Sequence, residues 1–381
     1  MMPWLLVSGD FTPLGGMDRA NHALASYLAR EGAEVHLVTH RAWPDLEALP
    51  GVTVRRVPRP LGSHLLGQSL LDHAGRRRAR RLAPEGARVV VNGGNCRWDD
   101  INWVHYVHAA WRPRGGPGRG ALRRIKGAVA DRRSRRDERD VIRRARVVVA
   151  NSERTRRDVI EALGAAPERV HTVYYGADPE RFRPPGPEER AGARSMLGWA
   201  ESDDRPAVAF VGSLGDARKG FDTLYGAWRR LARGPGWDAR LVVVGAGATL
   251  PAWRSRAEAE GLGDSVRFLG FRDDVPRVLA ACDLLVSPTR YEAYGLNVQE
   301  AICCGLPAIV SGSAGVAERY PEALRPLLLP DPDDDADLAA RIAAWRAGAG
   351  PLREAVVDLG HALRGRGWDR CAAEIVALAG S

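Results

Sequence analysis

Hydrophobic and polar positions follow two alternating rhythms along this chain. Short apolar runs rich in Val, Leu and Ala are separated by longer stretches with helical spacing. Residues 3–8, 35–39, 52–57, 89–92, 147–150 and 170–174 predict buried strands, since runs apolar on both faces suit a parallel sheet covered by helices. Residues 18–30 show helical spacing at Ala20, Leu24, Tyr27 and Leu28, and Gly32 ends that helix. The segment 101–109 is apolar and carries two histidines. A strand, a glycine loop, a helix and a strand in that order open a doubly wound sheet. A second series starts at 207–211, with strands at 241–244, 266–269, 284–286 and 308–310. Its helices fall at 221–233, 252–261, 275–281 and about 295–305. Helices at 352–364 and 368–378 form the tail. Between the series, residues 175–187 are rich in Pro and polar residues and predict a linker. The fold class is α/β, with domains at 1–174 and 188–365 and a final helix over 366–381.

The 381 residues give room for two domains of ordinary size. No apolar run reaches the ~18 residues that span a bilayer. The first residues lack a basic n-region and a long apolar run, and predict a strand rather than a secretory signal. Five cysteines, with no C-x-x-C pair, predict a reduced, cytoplasmic protein without structural zinc. Net charge is +9, and the excess is local: between Arg119 and Arg146 twelve basic residues face four acidic ones. A second cluster comprises Arg76, Arg77, Arg78, Arg80 and Arg81. Such patches suit an anionic partner, or a soluble arginine-rich helix surface.

The chemistry concentrates in residues 288–305, PTRYEAYGLNVQEAICCG. Glu292 lies in the loop before a helix and Glu300 about a turn and a half inside it. Between them Gly295 lets a ligand approach the backbone, and the N–H groups of Leu296 and Asn297 point out of the helix start. That is a phosphate site flanked by two acids, suited to a sugar nucleotide. A second arrangement of phosphate type follows the run AVAFV: Gly212, Ser213 and Gly215, then Arg218 and Lys219 before a helix. It is not a P-loop, because Gly220 follows Lys219.

Glu292, Gly295, Leu296, Glu300 and Ala301, followed by GLPAI at 305–309, resemble the E-x7-E signature of retaining glycosyltransferases of family 4. The resemblance implies that Glu292 contacts the donor sugar and Glu300 the ribose. It also implies that the Gly15-Gly16 loop faces donor phosphate and acceptor, and that Lys219 neutralises the departing diphosphate. Ser213 stands where the family has an Arg, and Arg218 is the nearest candidate to replace it. WVHYVHAAW resembles the segment that places a His near the reacting sugar. His108 is the closer match, with His105 as the alternative and Ala110 in place of the usual Pro. The turn at Phe271 and Arg272 is implied to meet the nucleobase, and 311–318 resembles a G-G-x-x-E element. VVVANSERT resembles the end of the family's first domain. YYGADPERFRP is similar to its hinge, with Tyr175 in place of Asn.

The resemblance covers nearly the whole chain and implies a GT-B architecture, two Rossmann-like domains facing a cleft. It implies transfer, with retention, of a hexose-type sugar from a UDP- or GDP-sugar. The hydroxyl acceptor is a glycan, a lipid-linked sugar or a small natural product. No cofactor and no metal are expected, with Lys and Arg supplying the positive charge. Peripheral contact with the inner membrane face through 119–146 is a further expectation. Two rivals stand beside this reading. A glycoside hydrolase using Glu292 and Glu300 would leave Lys219 and the phosphate cradle without purpose. A non-catalytic nucleic-acid or anionic-surface binder using the basic segment lacks an aromatic platform.

Overall fold

The computed structural model of the chain describes residues 2–62, 64–111, 121–348 and 350–380. It contains two compact units. One comprises the residues up to Gly176 with those from Trp368 onward; the other is Ala177–Gly367.

The first unit is built on a seven-stranded sheet. Its strands are β1 Trp4–Val7, β2 Val35–Thr39, β3 Val52–Arg56, β4 Arg88–Val91, β5 Ile101–Val104, β6 Val147–Ala150 and β7 Val170–Thr172. Their order is β3-β2-β1-β4-β5-β6-β7, parallel throughout. Parallel neighbours need crossovers. These include α1 Gly16–Arg30, α2 His64–Leu82, α3 Ala121–Arg144 and α4 Glu153–Leu163. Every residue of β1, β2, β5 and β6 is buried, as strands covered on both faces require. Ser152 caps α4, its Oγ accepting from Thr155 N at 3.0 Å, and Gly164 ends the helix in the left-handed region.

The second unit repeats the plan. Helix α5 Pro187–Met196 leads into β8 Ala207–Val211, α6 Phe221–Ala232, β9 Arg240–Val244, α7 Leu250–Ala259 and β10 Val266–Gly270. Then come α8 Val275–Ala280, β11 Leu284–Ser287, α9 Leu296–Cys303, β12 Ala308–Ser311, β13 Leu328–Leu329, α10 Asp335–Ala347 and α11 Gly350–Arg364. The strand order is β10-β9-β8-β11-β12-β13, again parallel. The last helix, α12 Trp368–Gly380, packs on α1 in the first unit. Arg146 donates to Ala379 O at 2.9 Å, and the Trp368 ring lies 5.6 Å from that of Tyr175.

Four local features add to or depart from the sequence reading. Helices α2, α5 and α10 were not foreseen. The arginines of α2 read only as a charge cluster, although Leu71, Ala74, Ala79 and Leu82 form its buried stripe. An acidic run such as 331–335 is ordinarily a solvated loop. Instead Asp334 caps α10, accepting from Ala336 N and Asp337 N, while Asp333 and Asp335 pair with Arg290 and Arg230. The apolar segment 101–109 is a strand only to Val104, and a 3-10 turn covers His108–Ala110. The linker expected at 175–187 is also shorter: Tyr175 is buried in the first unit, and Pro187 already opens α5.

All five cysteines are buried, and none forms a disulfide. Burial pushes the thiols of Cys96, Cys282, Cys303 and Cys304 up to about 12.

Two glycines of the second unit predict opposite responses to alanine. Gly220 has φ +65°, and a Cβ there would sit 1.8 Å from Pro288 O, so Gly220→Ala costs about 3 kcal/mol. Gly192 is exposed inside α5 with open space around it, so Gly192→Ala gains about 0.5–1 kcal/mol. Chemical denaturation of the two variants should shift the midpoint in opposite directions.

Candidate functional site

In parallel α/β sheets, ligands collect beyond the carboxyl ends of the strands, where the strand order reverses. In the second unit that place is the boundary between β8 and β11. The loops leaving β8, β9, β10 and β11 meet there, and glycines let them meet. Gly245, after β9, has φ +147°, and a Cβ on it would lie 1.8 Å from Gly212 O. A Cβ on Gly247 would lie 2.6 Å from Leu214 C and 2.7 Å from Gly215 N. Gly220 presses on Pro288, which brings the loop after β8 against the loop after β11.

Hydrogen bonds lock that contact. Arg290 N and Thr289 Oγ1 donate to Arg218 O at 2.7 and 2.9 Å. The Arg290 side chain donates to Ala217 O at 2.7 Å, grips both carboxylate oxygens of Asp222, and reaches Asp333 at 2.5 Å. Those two carboxylates hold its guanidinium above the ordinary arginine value. Arg290 is a residue that sequence reasoning missed. Its acidic partners stand 68 and 43 positions away, so no local pattern announces it.

The clamp places Lys219 Nζ 2.5 Å from Glu292 Oε2, with both side chains partly exposed. Gly295, at φ +113°, opens α9, and a Cβ there would come within 2.9 Å of Val316 Cγ1. Among the described residues, no hydrogen bond is donated by the main-chain N–H of Leu296 or Asn297. These groups form the positive end of α9. The Asn297 side chain ties the first turn to β8, donating to Val211 O at 3.0 Å. Glu300 is buried within α9. Gly315 N and Val316 N donate to Glu292 O and Tyr294 O, so the segment after β12 buttresses the acid loop.

The remaining candidates of this unit divide. Gly212 and the exposed Ser213 lie in the loop after β8. Arg218 folds back on Asp216, its Nε 2.9 and 2.8 Å from the two carboxylate oxygens. Burial alone would raise Asp216, but the Arg218 hydrogen bonds and charge hold it below the ordinary carboxylate value. Its charge is thus already matched within the loop. Phe271 is 69% exposed beyond β10, whereas Arg272 is paired with Asp274 at 2.5 Å.

In the first unit, candidate residues again follow the strand ends. Gly15, at φ +80°, and Gly16 form the exposed start of α1. Asp18 beside them was not anticipated. Burial, then the charge of Asp10, pushes its carboxyl up to about 6. The two histidines separate cleanly. His105 is partly buried, with Nδ1 2.5 Å from Tyr175 Oη and Nε2 3.0 Å from Asn92 Nδ2. Burial lowers it to about 3. His108 is half-exposed, and its Nδ1 contacts Glu138 at 2.9 Å. The basic segment lies partly outside the described residues, Arg119 among them. Of its described arginines, Arg135 donates to Trp111 O, Arg139 to Ala162 O, and Arg146 to Asp100 and Ala379 O. No helix among the described residues is long and apolar enough to cross a membrane.

The desolvated ring of His105 gives a pH signature. Its folded value lies below the unfolded one, so the unfolded chain binds more protons between about 6.5 and 3, and the stabilisation present above that window is lost as pH falls through it. Asp18, raised in the fold, acts with the opposite sign between 3.8 and about 6. Melting temperatures should therefore be compared between the native protein and His105→Asn across pH 7 to 4. The variant should lose less stability on acidification than the native chain.

Two family models match the chain, one to each unit: Glycosyltransferase Family 4 over residues 14–181, and Glycosyl transferases group 1 over residues 205–346. A D-inositol 3-phosphate glycosyltransferase from Actinosynnema mirum is 30% identical, covering 96% of this chain and 92% of that protein. One from Geodermatophilus obscurus is 31% identical, over 87% and 77%. Among solved structures, WaaG, a glycosyltransferase involved in lipopolysaccharide biosynthesis, superimposes with a TM-score of 0.79 at 21% identity, over 99% of this chain and 100% of WaaG. Anabaena HepE, in complex with UDP and glucose, gives 0.72 at 20% identity over the whole of both chains. At such identities the structures speak for the fold, the GT-B pairing of two Rossmann-like domains, while the sequence relatives place this chain in glycosyltransferase family 4.

Proposed function

We propose that this glycosyltransferase moves a hexose-type sugar, with retention, from a UDP- or GDP-sugar to a hydroxyl acceptor. The carrying observation is the Lys219–Glu292 pair beside the unbonded N–H groups of Leu296 and Asn297. A diphosphate at the start of α9 takes hydrogen bonds from those N–H groups and shares the Lys219 ammonium. Glu292, next to Lys219, accepts from sugar hydroxyls. Glu300, further along α9, accepts from the ribose, and the exposed Phe271 turn meets the base. As the sugar–phosphate bond breaks, negative charge grows on the leaving diphosphate. Fixed dipoles and a lysine already aimed there stabilise it without reorganising, which is the dominant electrostatic term in such reactions. The acceptor proton passes to the departing phosphate oxygen. On the first unit, the Gly15-Gly16 loop and the half-exposed imidazole of His108 are the groups proposed to meet the acceptor. Arg218 adds its charge only by loosening its hold on Asp216. The reaction needs neither a divalent metal nor a cofactor, because Lys219 and α9 supply the positive charge.

The relatives named for D-inositol 3-phosphate add a phosphorylated cyclitol to the acceptors worth testing, beside glycans, lipid-linked sugars and small natural products. HepE, solved with UDP, favours UDP as the base carrier to try first. Thermal-shift screening against UDP-, GDP- and ADP-sugars tests the reading directly. A donor at 100 times its Kd adds about 2.7 kcal/mol of stability, and no shift with any of them would remove it.

Three substitutions resolve the roles. Glu300→Ala should weaken binding of the free nucleotide in calorimetry. Glu292→Ala should lower turnover while nucleotide affinity is kept or rises, since Lys219 loses its competing carboxylate. Lys219→Ala should slow turnover by about 10²–10³-fold. Unchanged nucleotide affinity in Glu300→Ala would cancel the ribose assignment.

Turnover should also persist in excess EDTA. Activity abolished by EDTA and restored by Mg²⁺ or Mn²⁺ would contradict charge neutralisation by Lys219.

A further inference from the structure

Glu138 was not among the residues singled out in the sequence, yet it is among the most deeply buried acids of the first unit, at 1% exposure. It sits on α3, and α3 comes close because of a glycine. After β4, Gly93 adopts φ +53°, and a Cβ on Gly94 would lie 2.8 Å from Glu138 N. The backbone of that loop therefore rests directly on α3 at Glu138. A buried carboxylate is costly unless hydrogen bonds replace its water. Here they come from His108. Its main-chain N–H lies 3.1 and 3.0 Å from the two carboxylate oxygens, and its Nδ1 is 2.9 Å from Oε1. The Tyr106 ring stands edge-on to the imidazole, 4.8 Å between centroids.

An ionised carboxylate only accepts hydrogen bonds, so the proton on the neutral imidazole belongs to Nδ1. Nε2 is then a bare acceptor on a half-exposed side chain. No hydrogen bond to it is found among the described residues.

We propose that Glu138 is a positioning residue for the transfer reaction, fixing His108 in the Nδ1–H tautomer so that Nε2 accepts from a substrate hydroxyl. The inference rests on the role given to His108 above. A purely structural Glu138, capping the turn at His108 N, would need no particular tautomer. Glu138→Gln separates the two roles. Its amide oxygen still accepts from His108 N, but its NH₂ can donate to Nδ1 and drive the proton to Nε2.

Long-range ¹H–¹⁵N spectra of histidine-labelled protein at about pH 8 read the tautomer without any substrate, with His108→Gln supplying the assignment. The native protein should show a protonated Nδ1 and a bare Nε2. Glu138→Gln should lose that pattern, keep the native melting temperature to within a few degrees, and lower kcat by about 10–100-fold with the donor KM near its native value. A native His108 protonated on Nε2 overturns the proposal whatever the activity. A tautomer that inverts in Glu138→Gln with kcat unchanged overturns instead the role of His108 in the reaction. If Glu138→Gln does not fold, the native spectrum alone still decides the tautomer.

Discussion

The second unit has no space for a side chain where Gly220 meets Pro288, and the candidate site depends on that contact. Main chain touches main chain, so the distance between the two loops is set by van der Waals radii rather than by flexible side chains. Lys219 and Glu292 are held together as a consequence, one residue before the contact and four after it. Gly245 against Gly212 does the same between the loops after β9 and β8. Arg290 then pins the assembly with carboxylates from α6 and from the segment before α10. A site assembled this way is preorganised: little must move when charge appears on a ligand.

Much of this was legible in the chain. Apolar runs such as VVVA and AVAFV can only be strands buried on both faces, and their alternation with helical spacing gave both sheets. The spacing of Glu292, Gly295 and Glu300 located the opening of α9. What stayed hidden depends on partners distant in sequence. Arg290 is one arginine among many until Asp222 and Asp333 fold around it. Asp18 looks like an ordinary first-turn acid until the fold buries it beside Asp10. His105 and His108 share one local pattern, and only the position of α3 and of Tyr175 encloses the first more than the second, which is half-exposed.

Arginine-rich composition obscured as much as it disclosed. The clusters at 76–81 and 119–146 drew attention as surface charge, yet α2 carries its buried stripe beneath those arginines. Several described arginines of the second cluster are tied to main-chain oxygens: Arg135 to Trp111, Arg139 to Ala162 and Arg146 to Ala379. A guanidinium satisfies helix ends and loop carbonyls through a planar fork of donors. In such a chain the count of positive charges says little about partners until each one's neighbour is known.

The cysteines carry a practical corollary. All five thiols are enclosed, and those of Cys96, Cys282, Cys303 and Cys304 are held far from the thiolate form that reacts with electrophiles. The folded chain is therefore chemically silent toward maleimides and disulfide reagents. A single cysteine introduced on its surface can take a fluorophore or spin label with the native five left in place. The same native thiols become reactive only when their surroundings open, so the rate at which they are modified is a built-in gauge of local unfolding in each unit.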